Sequence, residues 1–523
     1  MALTTDVAQI LGREFGVITE LIRTHAALRP SSAALLQDDR RLDYGELDAL
    51  MNRVAAALQR DRVQPGESIA ICAANSIEYA VVFLGALRAG VAVAPLSPSS
   101  TAANLANMVA DAQASHLFLD AAAAQMLESA KDSIAARRVM LDASAGGRPL
   151  DEWLAATGAR PTPVAIQPGW PFNIIYSSGT TGTPKGIVQP HAMRWAHVQR
   201  GPLYGYAPDA VTLLSTPLYS NTTLVSFFPT LATGGAVVLM AKFDAQRYLT
   251  LAERHRVTHT MLVPVQYQRL MAQPDFDRYD LSSYRMKLST SAPFAAALKA
   301  EILRRWPGAL VEFYGMTEGG GACVLSARDR PDKLHTVGLP APGHDIRLID
   351  EHGREVAAGE TGEVVGNSGG MMTGYHRQLE QTAQAEWFDA SGKRFIRTGD
   401  VGRFDADGFL ILLDRKKDMI ISGGFNVYPS DLEGVLRQHP DVADVAVVGL
   451  PSERWGETPV AFVVLRDGVS ANRAELLDWA NTRVGKTERL AAVETIESLP
   501  RSPIGKVLKR ELRDLYSARV PGD

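Results

Sequence analysis

The sequence predicts an α/β protein: a large N-terminal domain of two packed α/β sheets with a small β-rich subdomain, then a small α+β C-terminal domain. Three observations carry this. Strand, helix, strand alternation with Gly or Pro punctuation runs through the first part of the chain and then recurs, as βαβ units in largely parallel sheets require. Beyond residue 330 the texture changes to short, glycine-punctuated segments. The last hundred residues follow a run of four charges, DRKK at 414–417, set between two apolar strands, which suits a domain junction better than a hairpin core. At 523 residues the chain is too long for one core, and the expected domains are 1–416 and 417–523.

Taken in order, 42–60 (LDYGELDALMNRVAAALQR) has apolar residues at helical spacing and is broken by Pro65-Gly66 before the strand-like SIAICA. The helical IEYAVVFLGALRAG ends at Gly90 before the strand VAVAPL. The theme repeats weakly with HLFL and RVML. The second series is VTLLSTPLY, helical LVSFFPTLATG, strand AVVLM, a helix around YLTLAERHR, and THTMLVP. Such layers leave a cleft at the carboxyl ends of their strands. After 330 come TVGLPAPGHDIRLIDEHGREV and TGEVVGNSGGMMTGYH, the β-rich subdomain. The C-terminal unit reads as helix PSDLEGVLRQHP, strands ADVAVVGLP and PVAFVVLRD, helix AELLDWANTRV and strand VETIESLP.

A net charge of −4 argues against a partner bound through a broad basic surface, so no nucleic acid is expected. Two cysteines, Cys72 and Cys323, offer neither a disulfide framework nor a thiolate metal site. No secretory h-region and no run of about 18 apolar residues is present. A cytoplasmic protein without a membrane span is expected. The eleven histidines show no metal-ligand spacing and read as surface or packing residues.

The stretch 176–186, YSSGTTGTPKG, follows the apolar Phe172, Ile174 and Ile175. Its glycines let backbone N–H groups turn toward an oxyanion, its hydroxyls donate further, and Lys185 supplies a point charge. This describes a phosphate-binding loop. It is not the G-x-x-x-x-G-K-[ST] loop, because Gly186 stands where Ser or Thr would be needed.

Further along stand FYGMTE at 313–318, TGD at 398–400, Asp414-Arg415, and PIGK at 503–506. In this order and spacing the set resembles the acyl-adenylate-forming superfamily of acyl-CoA and aryl-CoA synthetases, nonribosomal adenylation domains and beetle luciferases. The resemblance runs from about residue 42 to 512. It implies a mobile C-terminal domain and ATP bound between the domains. Ser177, Ser178, Gly179, Thr180, Thr181, Gly182, Thr183 and Lys185 would hold the β- and γ-phosphates. Tyr314, with Gly315 after it, would stack on adenine, and Ser291, Ala292 and Pro293 would wall that site. Thr317 would meet the α-phosphate, Glu318 would hold Mg2+, and Asp400 would take the ribose hydroxyls with Arg415 helping. Lys417 matches the hinge, and Lys506 the catalytic lysine bridging substrate carboxylate and α-phosphate. Gly423, Gly424, Phe425 and Trp455 fall where CoA synthetases of the family meet CoA.

Physical chemistry supports these roles. Carboxylate attack on the α-phosphorus joins two anions, so magnesium, loop donors and an ammonium must first neutralise charge. An Asp can accept from both ribose hydroxyls. The expected enzyme is an AMP-forming acid:CoA ligase with ATP, Mg2+ and CoA. A ligase loading a carrier protein in trans, or a luciferase-type oxygenase, is the alternative. Many acid:CoA ligases of this family carry a histidine after Pro-Leu-Phe/Tyr. Here Pro217, Leu218 and Tyr219 are followed by Ser220 and Asn221. Gly319, Gly320 and Gly321 either leave room for a bulky acid or permit a tight turn. With apolar residues around 219–228 and no arginine in those segments, the expected substrate is an aromatic, alicyclic or medium-chain monocarboxylic acid.

Overall fold

Parallel pairing buries a strand on both faces, and Ser68–Cys72 (SIAIC) and Ala92–Leu96 (AVAPL) are buried at every position. The computed structural model describes residues 2–177, 185–422, 425–452, 455–469, 471–485, 488–502 and 505–517. Among these, eight strands form one sheet in the spatial order Gly374–Tyr375, Lys185–Pro190, Pro171–Ser177, Ala92–Leu96, Ser68–Cys72, His116–Leu119, Arg137–Met140, Arg148–Pro149. Pairing is parallel from Pro171–Ser177 onward and antiparallel before it. A second sheet of nine described strands has the parallel core Ala309–Tyr314, Met286–Ser289, His259–Leu262, Val211–Leu214, Ala236–Leu239, Ala33–Gln37.

Three helices share one core with both sheets. Tyr44–Arg60 starts at a capping box: Asp43 Oδ1 accepts from Glu46 N and Glu46 Oε2 from Asp43 N, both at 2.9 Å. Ile77–Arg88 approaches it so closely that a Cβ at Gly85 would lie 2.4 Å from Val54 Cβ. Asn221–Ala232 is buried along most of its length. The shared core includes Ile69 and Val93 from the first sheet and Leu214, Val237 and Leu288 from the second. Phe83, Phe172 and Phe228, each from a different element, meet with ring centroids 5.0 to 6.2 Å apart. Each such pair contributes about 0.5–1.5 kcal/mol beyond its burial.

The chain divides into two units, residues 1–345 with 366–396 and residues 346–365 with 397–523. The expected functional boundary at 416/417 falls inside the second unit. In that unit the antiparallel strands Val442–Ser452 and Gly456–Leu465 and the parallel strand Ala492–Thr495 pack with helices Pro429–Leu436 and Arg473–Asn481 around Val447, Val463, Leu432 and Leu476. Leu410–Arg415 and Ile420–Ser422 belong to different sheets, so the charged run 414–417 ends one sheet and leads to the next. No helix among the described residues is long and apolar enough to cross a membrane.

Candidate active site

The glycine-rich stretch hangs from a hairpin. Pro171–Ser177 and Lys185–Pro190 pair antiparallel with Ser177 opposite Lys185. The expected phosphate ligands Ser178, Gly179, Thr180, Thr181, Gly182 and Thr183 lie outside the described residues, so what is described is the loop's two anchors. Tyr176 donates its hydroxyl to Asp111 Oδ2 at 2.5 Å, and burial with that carboxylate pushes the phenol pKa far up. His376 N donates to Gly186 O at 2.6 Å across the other anchor. Lys185 Nζ lies 5.1 Å from the Tyr375 ring centroid, within cation–π range.

The hairpin carries polar side chains where apolar ones are the rule. Gln189 and Asn173 are fully buried opposite one another, and Asn173 Nδ2 donates to Gln189 Oε1 at 3.0 Å. Buried Arg194 donates to the same Oε1 and, at 3.1 Å, to Asn173 Oδ1. Burial lowers its pKa to about 9. With its acceptor engaged, Gln189 points its amide outward, donating to Thr317 O at 2.6 Å and Asn221 Oδ1 at 3.3 Å. The hairpin is thereby bonded to both flanking segments.

Those segments leave the carboxyl ends of parallel strands, where α/β sheets place their ligands. Val211–Leu214 leads to Tyr219, Ser220 and Asn221, Met286–Ser289 to Ser291, Ala292 and Pro293, and Ala309–Tyr314 to Gly315, Thr317 and Glu318. Ser291, at φ +83°, shares a 2.5 Å hydroxyl bond with Thr222. Tyr219 is mostly buried, which raises its pKa, partly offset by a bond with Ser97. Half-buried Glu318 accepts the Tyr375 hydroxyl on Oε1 at 3.0 Å. Burial first, then the Glu318 charge, drive the Tyr375 pKa up. Magnesium is commonly held by one or two carboxylates with phosphate oxygens and water. Glu318, with one oxygen on Tyr375 and no described donor on the other, fits that role.

Gly319 and Gly320 have φ of +77° and +92°, and Cβ atoms there would lie 2.0 Å from Gly370 O and 2.8 Å from Gly366 O. A left-handed turn against a neighbouring strand therefore accounts for these two glycines. Gly321 is not in the left-handed region, and its N and Cα would lie 3.0 and 3.1 Å from a Cβ at Gly366.

The second unit holds the other expected residues. Asp400 and Arg415 are opposite one another on Arg394–Phe404 and Leu410–Arg415, with Arg415 Nε 2.8 Å from Asp400 Oδ1. Thr398 Oγ1 takes the Asp400 amide at 3.0 Å and donates to Val364 O at 2.8 Å, fixing the intervening Gly399 at φ +70°. Lys417 and Lys506 are both exposed. An isolated bridge, Arg501 to Val507, closes the loop that presents Lys506, whose carbonyl accepts from Ser502 N at 2.8 Å. Trp455 is exposed, Phe425 begins the strand Phe425–Val427, and Gly423 and Gly424 lie outside the described residues.

Residues 22–376 match the family described as AMP-binding enzyme, and residues 431–506 its C-terminal domain. The chain belongs to the AMP-binding enzymes. It is 33% identical over 519 residues to indoleacetate–CoA ligase of Aromatoleum aromaticum, covering 96% of this chain and 99% of that one. It is 34% identical over 494 residues to feruloyl-CoA synthase of an Amycolatopsis species, covering 93% and 96%. The amide bond synthetase McbA of Marinactinospora thermotolerans matches its structure with a TM-score of 0.85 and 28% identity, over 95% of this chain and all of that one. The AMP-binding enzyme described here is an ATP-dependent, AMP-forming acid:CoA ligase using ATP, Mg2+ and CoA.

Sequence reasoning missed Gln189, Asn173, Arg194 and Tyr375. Asn and Gln inside otherwise apolar strands, FNII and GIVQP, were the available signal for the first two. Nothing in GYH marked Tyr375.

Proposed function

We propose that this cytoplasmic enzyme activates an aromatic monocarboxylic acid in two half-reactions, with residues 417–523 as the mobile functional unit and Lys417 as its hinge. A carboxylate oxygen attacks the α-phosphorus of ATP, the bond to the pyrophosphate oxygen breaks, and pyrophosphate leaves. The CoA sulfur then attacks the acyl carbon, its proton passes to solvent, and AMP leaves with the carboxyl oxygen. The loop 177–185 holds the β- and γ-phosphates, Thr317 the α-phosphate, Tyr314, Gly315 and Ser291 to Pro293 the adenine, and Asp400 with Arg415 the ribose. Magnesium on Glu318 offsets phosphate charge, and Lys506 bridges the two anions. Gly423, Gly424, Phe425 and Trp455 meet CoA, and Tyr219, Ser220, Asn221 and residues 319–321 line the acid pocket.

The observation that carries this reading is the convergence of the segments after three parallel strands, tied together by Gln189 and Thr222, beside half-buried Glu318. The aromatic choice rests on the names of the indoleacetate and feruloyl relatives. A panel of aromatic, alicyclic and aliphatic acids, assayed for pyrophosphate release with and without CoA, tests it. CoA-dependent AMP formation with an aromatic acid supports the proposal. Pyrophosphate release indifferent to CoA points instead to a carrier-loading or oxygenase enzyme.

A further inference from the structure

Two imidazoles stand beside the glycine-rich wall that follows Glu318. His197, in the last turn of helix His191–Gln199, places Nε2 3.9 Å from where a Cβ at Gly370 would stand. Gly370 O accepts from Gly320 N at 3.3 Å, so His197 faces the backbone that lines the candidate acid pocket. Neighbouring Gly369 is solvent-exposed, and a Cβ there would meet nothing within 4 Å. His344 stands behind the same wall, its Nδ1 accepting the Ala322 amide at 2.8 Å. Its remaining nitrogen, Nε2, is buried without a partner among the described residues.

The tautomer of His197 follows from the same accounting. Nδ1 is buried and unpartnered, and an orphaned buried N–H is the rarer outcome compared with an orphaned acceptor. A proton on Nε2, the nitrogen facing Gly370, is the tautomer that avoids a buried, unmet N–H at Nδ1. Burial first, then the Arg194 and Arg200 guanidiniums and His344, lowers the His197 pKa to about 3. Burial, then Arg200, lowers that of His344 to about 4. Both rings are neutral at pH 7, and the charges acting on them there, those of Arg194 and Arg200, are cationic. A neutral N–H donor in a positive field selects an oxygen acceptor.

We propose that His197 is a specificity-determining residue that donates a hydrogen bond from Nε2 to a ring oxygen, hydroxyl or methoxy, at the end of the aromatic acid remote from its carboxylate. The proposal rests on the ligase reading above, because the wall that His197 faces is the acid pocket only on that reading. A site built to bond a substrate oxygen rejects the analogue that lacks it, leaving its own polar group unmet.

The test uses non-hydrolysable acyl-sulfamoyl adenosines carrying cinnamoyl, 3-hydroxycinnamoyl or 4-hydroxycinnamoyl groups, titrated calorimetrically into the full-length protein. One hydroxylated analogue should bind about 10-fold tighter than the unsubstituted one, the worth of one net hydrogen bond. In His197→Phe that ratio should collapse towards one, and His197→Asn, which restores a donor, should recover part of it. Melting curves of both variants establish that they fold. Equal binding of all three analogues, or an unchanged ratio in folded His197→Phe, overturns the contact and leaves the ligase reading standing. Discrimination by His197 without CoA-dependent AMP formation supports the contact and overturns the acceptor assignment alone.

Discussion

The expected site residues around Glu318 in the larger unit and the two expected lysines of the second are presented in opposite ways, although Asp400 and Arg415 of the second are held as well. In the larger, Glu318, Thr317, Asn221 and Ser291 are each held by a neighbour, and the chain of bonds runs inward through fully buried Gln189 to Arg194 and Asn173. In the second, Lys417 and Lys506 are exposed side chains on a short turn and a small bridged loop. Groups that must hold phosphates and metal in one geometry are pre-organised by packing, which avoids reorganisation at the moment of reaction. Exposed positions suit groups that would serve one half-reaction and withdraw for the other.

The largest expected effect comes from loosening the fixed side. Glu318→Gln removes the charge proposed to hold magnesium and should slow adenylate formation about 10²–10³-fold, the scale of losing one principal electrostatic contact. High magnesium should restore part of the rate. The Tyr375 phenol, raised in part by that charge, should titrate at lower pH in the variant by ultraviolet absorbance. A wild-type rate at limiting magnesium would contradict the assignment. Next in size is Lys417→Pro. Proline locks φ near about −65°, so one half-reaction should fall about 10²-fold, the scale of a misplaced reacting group, while the other is spared. Near-wild-type rates in both assays would place the hinge elsewhere.

Gln189 separates support from chemistry. Gln189→Leu leaves Arg194 and Asn173 unmet and should cost about 1–3 kcal/mol in chemical denaturation. Gln189→Glu keeps their acceptor but cannot donate to Thr317 O, so it should regain stability while adenylation stays slow. Recovery of both in the Glu variant would confine Gln189 to a structural part.

A further effect distinguishes the units by pH. His25, His191, His259 and His344 have pKa values lowered to about 4 and His197 to about 3, burial being the first cause for each, and all five lie in the larger unit. For a base whose folded pKa is depressed, the unfolded chain binds the extra proton. Stability is therefore full above about pH 6.5, the unperturbed histidine value, and is lost as pH falls towards 4. Calorimetry at pH 7 and pH 5 should show the larger unit's transition moving down. A transition unmoved by pH contradicts it.

Most of the parallel strands were legible because burial on both faces writes continuous apolar runs, as in SIAIC and AVAPL. The pair Ala33–Gln37 and Arg40–Asp43 was not. RRLD has no apolar run, and Ala33–Gln37 finds its partner Ala236–Leu239 some two hundred residues away. On the site, short motifs named the residues expected to touch ATP. What holds them was hidden, since Gln189 and Tyr375 act through contacts between segments far apart in sequence. His197 and His344 were read, like the other histidines, as surface or packing residues because no spacing pattern links them.

The division between fixed and exposed groups is tested most directly with Lys506→Ala, one preparation serving two assays: pyrophosphate release from acid and ATP, and thioester formation from supplied acyl-adenylate and CoA. The account predicts that the first falls by about 10²-fold or more while the second stays near wild type. An equal fall in both, in a protein whose melting curve is unchanged, would contradict it.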